Sequence, residues 1–239
     1  MELKLQEIIE LKGKIILESN LHIGSGNMEM HIGGTDNPII KHPHSLEPYI
    51  PGSSIKGKVR SLMELSTGAA ALSYNNKSND GGITTFKLLQ AVKSPDAKKE
   101  VESILKIFGF SGSDKSGNDN SAELARELGP TRASFADCNL NEEWKEKATK
   151  NLWPLAIEKS ETAIDRISGT AKRGSLRQTE MVPAGAEFDF RLSFKIFCEE
   201  DKKLLDKLIK GLDLLAKDAI GGNGSRGYGR IRFENLIKV

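Results

Sequence analysis

The stretch that constrains this chain most lies near its end. From Asp201 to Lys217 the residues Leu204, Leu205, Leu208, Ile209, Leu212 and Leu215 fall at helical spacing. GGNGSRGYGRIRF follows from Gly221, and Tyr228 to Phe233 alternates like a strand. Gly222, Gly224 and Gly227 spell G-x-G-x-x-G, but a dinucleotide fold needs a strand before such glycines and a helix after them. The order here is reversed, so the string is not that fingerprint. A helix cap and turn would need fewer glycines, and Arg226 and Arg230 stand among these with no acid between them. Glycine lets backbone approach a ligand closely and arginine suits phosphate, so the loop is read as a contact to a phosphate backbone.

Upstream, Lys14 to Ser19 reads as a strand. Ser53 or Ser54 can cap a helix with the stripe Ile55, Val59, Leu62 and Met63. Residues 73–82 form a polar loop. Thr84 to Val92 and Ala97 to Phe108 are helical with a break at Pro95, and 111–121 is of low complexity. Arg132 to Cys138 is a further strand candidate, while 141–156 has no clear pattern. Residues 159–183 are a long insertion poor in apolar residues, and Glu187 to Phe197 alternates Phe188, Phe190, Leu192, Phe194 and Ile196. Strand, helix, strands, helix and strand in that order fit an α+β chain with a ferredoxin-like or RRM-like sheet.

A net charge of +2 on 239 residues does not announce a polyanion partner, so local charge must carry that argument. Three segments are basic and free of acid: GSSIKGKVR, with Lys56 and Arg60 one helical turn apart; RISGTAKRGSLRQ, with Arg166, Lys172, Arg173 and Arg177; and the glycine loop. The turn before Ser54 also offers backbone N–H groups at a helix start. Together these favour nucleic acid held by its backbone. Aromatic residues are too scarce for base stacking on the sheet. His22, His31, His42 and His44 cluster early, but the two cysteines lie far from them, so a zinc site is weakly indicated. Asp36 follows two glycines; such a residue can brace its own turn, hold a metal or position a reacting group. The charged N-terminus has no signal-peptide core and no apolar run is long enough for a membrane span, which suggests a cytoplasmic setting.

The segments LHIGSG, IGGTDNPII, PYIPGSSIKGKVR, ETAIDRISGTAKRGSLRQTEMVPAGAEFDF and GGNGSRGYGRIRF occur in the order found in the Cas7-type RAMP family, and the fourth resembles its Csm3 branch in type III-A CRISPR effector complexes. The resemblance spans about His22 to Phe233. It implies one RAMP domain over residues 1–239, with an RRM-like core, a lid, a helical insertion at about 66–130 and a thumb hairpin at about 159–183. It further implies a backbone subunit that binds guide RNA, stacks with further copies of itself and other Csm subunits, and cleaves matched target RNA as a metal-dependent endoribonuclease. A purely structural guide-binding subunit is the alternative. By the same resemblance Asp36 is the catalytic residue and a ligand for a divalent ion, Mg2+ or Mn2+. RNA contacts fall on His22, Ser54, Lys56, Arg60, Arg166, Lys172, Arg173, Arg177, Gly222, Gly224 and Arg226.

Overall fold

A computed structural model describes residues 3–26, 35–75, 81–110 and 124–239. Its centre is a four-stranded antiparallel sheet made of β1 (Glu7–Leu17), β3 (Ala133–Phe135), β7 (Glu187–Ile196) and β8 (Ile231–Lys238), in the order β3-β7-β1-β8. The chain also contains β2 (Tyr49–Ile50), α1 (Gly52–Ser66), α2 (Ala69–Asn75), α3 (Phe86–Ala91), α4 (Pro95–Phe108), β4 (Cys138–Asn139), α5 (Glu142–Lys150), β5 (Ile157–Glu161), β6 (Arg177–Met181) and α6 (Glu200–Lys217). The architecture is mixed helix and antiparallel sheet, an α+β fold.

Period-two alternation builds the core. Phe188, Phe190, Leu192, Phe194 and Ile196 of β7 share one face, and the register sets Leu192 beside Leu11 and Phe188 beside Ile15 of β1. Helices α1 and α6 bring Ile55, Val59, Leu208, Leu212 and Leu215 into the same buried cluster. Each such side chain contributes about 1.5–3 kcal/mol of burial. The other face is polar: Lys12 lies opposite Arg191, and Lys14 opposite Asp189. None of the aromatics of β7 reaches that face, which agrees with the absence of a stacking pair in the sequence.

Several boundaries differ from those read in the sequence. β1 begins at Glu7, because the charged alternation in EIIELKGK belongs to the polar face. Pro95 opens α4 at its first turn, where a missing N–H costs nothing, and does not interrupt a helix. The polar segment from Ser73 is helical as far as Asn75. Residues 141–156, unassigned from sequence, hold α5, capped by the Asn141 side chain accepting from the Trp144 N–H at 3.2 Å. The segment 111–121 lies outside the described residues.

Candidate nucleic-acid interface

Residues 159–183 form most of a hairpin. β5 and β6 pair antiparallel from Ile157 opposite Met181 to Glu161 opposite Arg177, and the bridge of Ile164 with Ala171 carries the ribbon outward. Ile164, Ile167 and Leu176 are exposed along it, as are Arg166, Lys172, Arg173 and Arg177, and no acid among the described residues pairs with these four cations.

The inner end of β6 is where the early part of the chain arrives. The Asn37 N–H donates to the Gln178 carbonyl at 3.1 Å and the Glu180 N–H to the Asn37 carbonyl at 3.0 Å. This short parallel bridge sets Asp36 beside the strand, where its Oδ2 accepts the Gln178 N–H at 2.9 Å. Asp36 is exposed, and among the described residues no other group donates to its carboxylate. One segment earlier, Leu21 and Val182 exchange backbone hydrogen bonds, and His22 Nδ1 lies 2.8 Å from the Glu180 carbonyl. A ring nitrogen facing a carbonyl must carry the proton, so Nε2 is the acceptor of the neutral imidazole. The Glu180 carboxylate in turn accepts from the Ile39 N–H at 3.0 Å and from Lys41 Nζ at 2.5 Å. Asp36 and His22, fourteen residues apart, are thus hung two residues apart on one strand.

The glycine loop packs on His22. The Gly222 N–H donates to the His22 carbonyl at 2.8 Å. Gly221 has φ +77°, and a Cβ there would stand 2.3 Å from the same carbonyl oxygen; at Gly229, with φ +71°, it would stand 1.9 Å from the Ile220 oxygen. These two positions, Gly221 and Gly229, are demanded by the chain's own backbone, whereas at Gly222 and Gly224 the atoms nearest a Cβ would be side-chain atoms of His22 and Ala219, at 3.3 and 3.1 Å. Gly224 opens the 3-10 turn Gly224–Arg226. Arg226 lies within reach of the hairpin, with Nη1 2.9 Å from Glu161 Oε2. Arg166, Arg177, Arg226 and Lys159 line one cavity of about 680 Å³ with Glu161 as its single acid. The sequence kept the glycine loop and the hairpin apart as separate basic segments; the fold joins them. Lys172 and Arg173 lie farther out and do not line this cavity.

The start of α1 is less free than its sequence suggested. No side chain of Ser53 or Ser54 caps it; the Gly52 N–H donates to Asp137 Oδ1 at 2.7 Å, and the Ser54 N–H to the Pro51 carbonyl at 2.9 Å. The Arg60 guanidinium turns inward, with Nε on Glu64 Oε1 at 2.9 Å, Nη2 on the Thr84 carbonyl at 2.7 Å and Nη1 on the Gly109 carbonyl at 3.3 Å. The acid that pairs it lay one turn beyond the segment that looked acid-free. Lys56 has no ion-pair partner among the described residues, and burial, aided by the nearby Arg60 charge, pushes its pKa down. It lines a groove of about 430 Å³ with Ser53, Ser134 and Lys195. Lys195 was missed in the sequence because it is an ordinary polar-face position of β7; only the tertiary fold brings it beside α1.

Of the histidines, His31 lies outside the described residues. His42 and His44 have ring centroids 5.5 Å apart, in a separate cavity with Glu47 and Lys145. Among the described residues no group of three or more His, Cys, Asp or Glu is placed to hold a metal ion, and no helix is long and apolar enough to cross a membrane.

Cations gathered around a hairpin root, on an α+β fold whose last helix and last strand are joined by a glycine loop, make a surface suited to a phosphate backbone. The sequence pattern of the RAMP superfamily matches residues 14–232, and this chain belongs to that superfamily and, within it, to the Csm3 family. A CRISPR system Cms endoribonuclease Csm3 of Methanocaldococcus jannaschii is 37% identical over 236 residues, covering 96% of this chain and 82% of that protein. Its counterpart in Methanothermobacter thermautotrophicus is 34% identical over 249 residues, covering 98% and 86%. Among solved structures, a chain of the Csm3–Csm4 subcomplex in the type III-A CRISPR-Cas interference complex is 26% identical, with a TM-score of 0.53 over 98% of this chain and 79% of that one.

Proposed function

We propose that this chain is a backbone subunit of a type III-A CRISPR effector complex that binds guide RNA and cuts complementary target RNA as an endoribonuclease. Its partners are guide RNA, target RNA, further copies of itself and other Csm subunits, in a cytoplasmic setting. The observation that carries the reading is the Asp36 carboxylate, suspended from the Gln178 N–H at the root of a basic hairpin in a chain of this family. The strand order β3-β7-β1-β8, with α1 and α6 as the crossing helices, supports an RRM-like core. On this reading residues 157–181 are the thumb, the helices within 66–130 an insertion, and the segment around Asp36 part of a lid.

The target's 2′-oxygen bonds to the adjacent phosphorus as the bond to the 5′-oxygen breaks; the 2′-hydroxyl loses its proton and the leaving oxygen gains one. DNA lacks the 2′-hydroxyl and is spared. Asp36 orients the reacting group, and its position is held from the backbone side by Gln178. Arg166, Arg177 and Arg226 hold phosphates around the hairpin root, Lys172 and Arg173 extend that track, and Lys56 serves the guide at α1. His22 braces the floor through Glu180 and the glycine loop. A divalent ion, Mg2+ or Mn2+, fits a lone exposed carboxylate only when RNA oxygens complete its shell, the usual mode for Mg2+. Asp36 would hold it, and it would supply charge stabilisation at the phosphate.

In a complex reconstituted with guide and matched end-labelled target, Asp36→Ala should keep both RNA affinities within about threefold and slow cutting at least ~100-fold, roughly 2.7 kcal/mol of barrier. Chelation should silence the wild type. A variant that cuts at the wild-type rate and spacing would leave the structural-subunit reading in its place.

A further inference from the structure

Tyr228 belongs to the glycine loop, Lys159 and Glu161 to the C-terminal end of strand β5, and the three form a compact joint. The Tyr228 hydroxyl donates to Glu161 Oε1 at 2.7 Å and accepts from Lys159 Nζ at 2.6 Å. Lys159 Nζ also lies 3.3 Å from Glu161 Oε1 and 4.9 Å from the centre of the Tyr228 ring. Arg226 occupies the other carboxylate oxygen at 2.9 Å. Tyr228 is 6% exposed, so the ring is fixed by packing and its hydroxyl is satisfied on both sides. Glu161 is held below the usual carboxylate range, chiefly by the Tyr228 hydrogen bond, and Lys159 above the usual amine range by the same hydroxyl. Both are therefore charged at neutral pH.

The joint sits one residue from the peptide that holds Asp36. Glu161 pairs with Arg177 and Ser160 with Gln178, whose N–H carries the Asp36 carboxylate. The contacts close on themselves: β6 holds His22 through the Glu180 carbonyl, His22 holds the glycine loop through Gly222, and the loop returns to the hairpin through Tyr228 and Glu161. β5 and β6 form a sheet of their own, and the contacts of Leu21, His22 and Asn37 hold it at β6 and Val182; the attachment at Glu161 adds a hold on β5 and limits rotation of the hairpin about its root. Arg226 could by itself pair with RNA phosphate, which would leave Tyr228 and Lys159 to keep Glu161 in place.

We propose that Glu161, held by Tyr228 and Lys159, is a positioning residue that locks the hairpin root onto the glycine loop and so sets where Asp36 stands against the target strand. This rests on the assignment of Asp36 made above. The test compares Tyr228→Phe, Glu161→Ala and Glu161→Gln with Asp36→Ala in the guide-loaded complex, and follows backbone amide exchange of residues 177–181 in the RNA-free chain. Phenylalanine keeps the ring and leaves Arg226 on Glu161; glutamine still accepts from the Tyr228 hydroxyl. Tyr228→Phe and Glu161→Ala should cut about tenfold slower at saturating target, with guide and target affinities within about threefold, and residues 177–181 should exchange faster. Glu161→Gln should cut at least about fivefold faster than Glu161→Ala, a rescue that loss of folding would not show. Wild-type cutting by Tyr228→Phe, a rate loss that merely follows lost affinity, or glutamine as slow as alanine would each overturn the proposal. If Asp36→Ala is inactive while Tyr228→Phe is normal, this inference alone falls; if Asp36→Ala is active, the assignment beneath it falls as well.

Discussion

Lys56 and Arg60 stand one turn apart on α1, and their replacement by alanine should separate RNA binding from stability. The Arg60 side chain is 19% exposed and its partner Glu64 7%, so the pair is mostly out of water. Arg60→Ala leaves Glu64 with the Thr84 N–H at 2.9 Å but without its cation, and strips donors from the Thr84 and Gly109 carbonyls. Breaking one side of a buried pair costs about 3–5 kcal/mol, and the lower end suits a site with some solvent access. At about 2–4 °C per kcal/mol for a chain of this size, melting should fall by roughly 6–12 °C. Lys56→Ala removes one charge with no acid partner among the described residues, so melting should move by less than about 2 °C, while the slope of log affinity for guide RNA against log salt should flatten by about 0.7. Calorimetry and a salt titration of each single variant decide the matter. Should Arg60→Ala melt like the wild type and flatten the slope as Lys56→Ala does, the inward guanidinium is not what α1 uses in solution.

Two further outcomes follow. Replacing residues 162–176 by a short Gly/Ser linker keeps Glu161 and Arg177 and removes no buried side chain, so melting should stay within about 3 °C while cutting loses its regular spacing; a deletion that fails to fold would place this ribbon in the core. The joint at Glu161 should also have a pH window. The lowered Glu161 pKa makes its contribution present above the unfolded value, near 4.5, and lost as pH falls through the folded one; the raised Lys159 pKa makes its contribution present below 10.5 and lost as pH rises beyond that. Intrinsic-rate-corrected protection of the Glu180 amide, which donates to the Asn37 carbonyl, should accordingly be flat between about pH 5 and 10 and fall off on either side, and a slope across neutral pH would point to another group.

Much of the scaffold was legible because it follows from periodicity. The alternation from Phe188 to Ile196 requires a strand with one buried face, and the leucines of 204–215 require a helix packed along one side. The order of helix, glycine loop and strand at the end of the chain excluded a dinucleotide site without any coordinates. Asp36 and the hairpin cations could be singled out as residue types in a pattern, since such local signals survive in one dimension. What the sequence could not carry was pairing across distance. Arg60 meets Glu64, Thr84 and Gly109, and Arg226 meets Glu161 from sixty-five residues away, so two cations in apparently acid-free segments have acids beside them. The loop glycines looked like an opening toward RNA, yet Gly221 and Gly229 are fixed by carbonyls of His22 and Ile220. Local spacing dictates which elements form because backbone geometry repeats over a few residues; which charges remain for a ligand is decided only when long-range packing has matched every other charge with a partner.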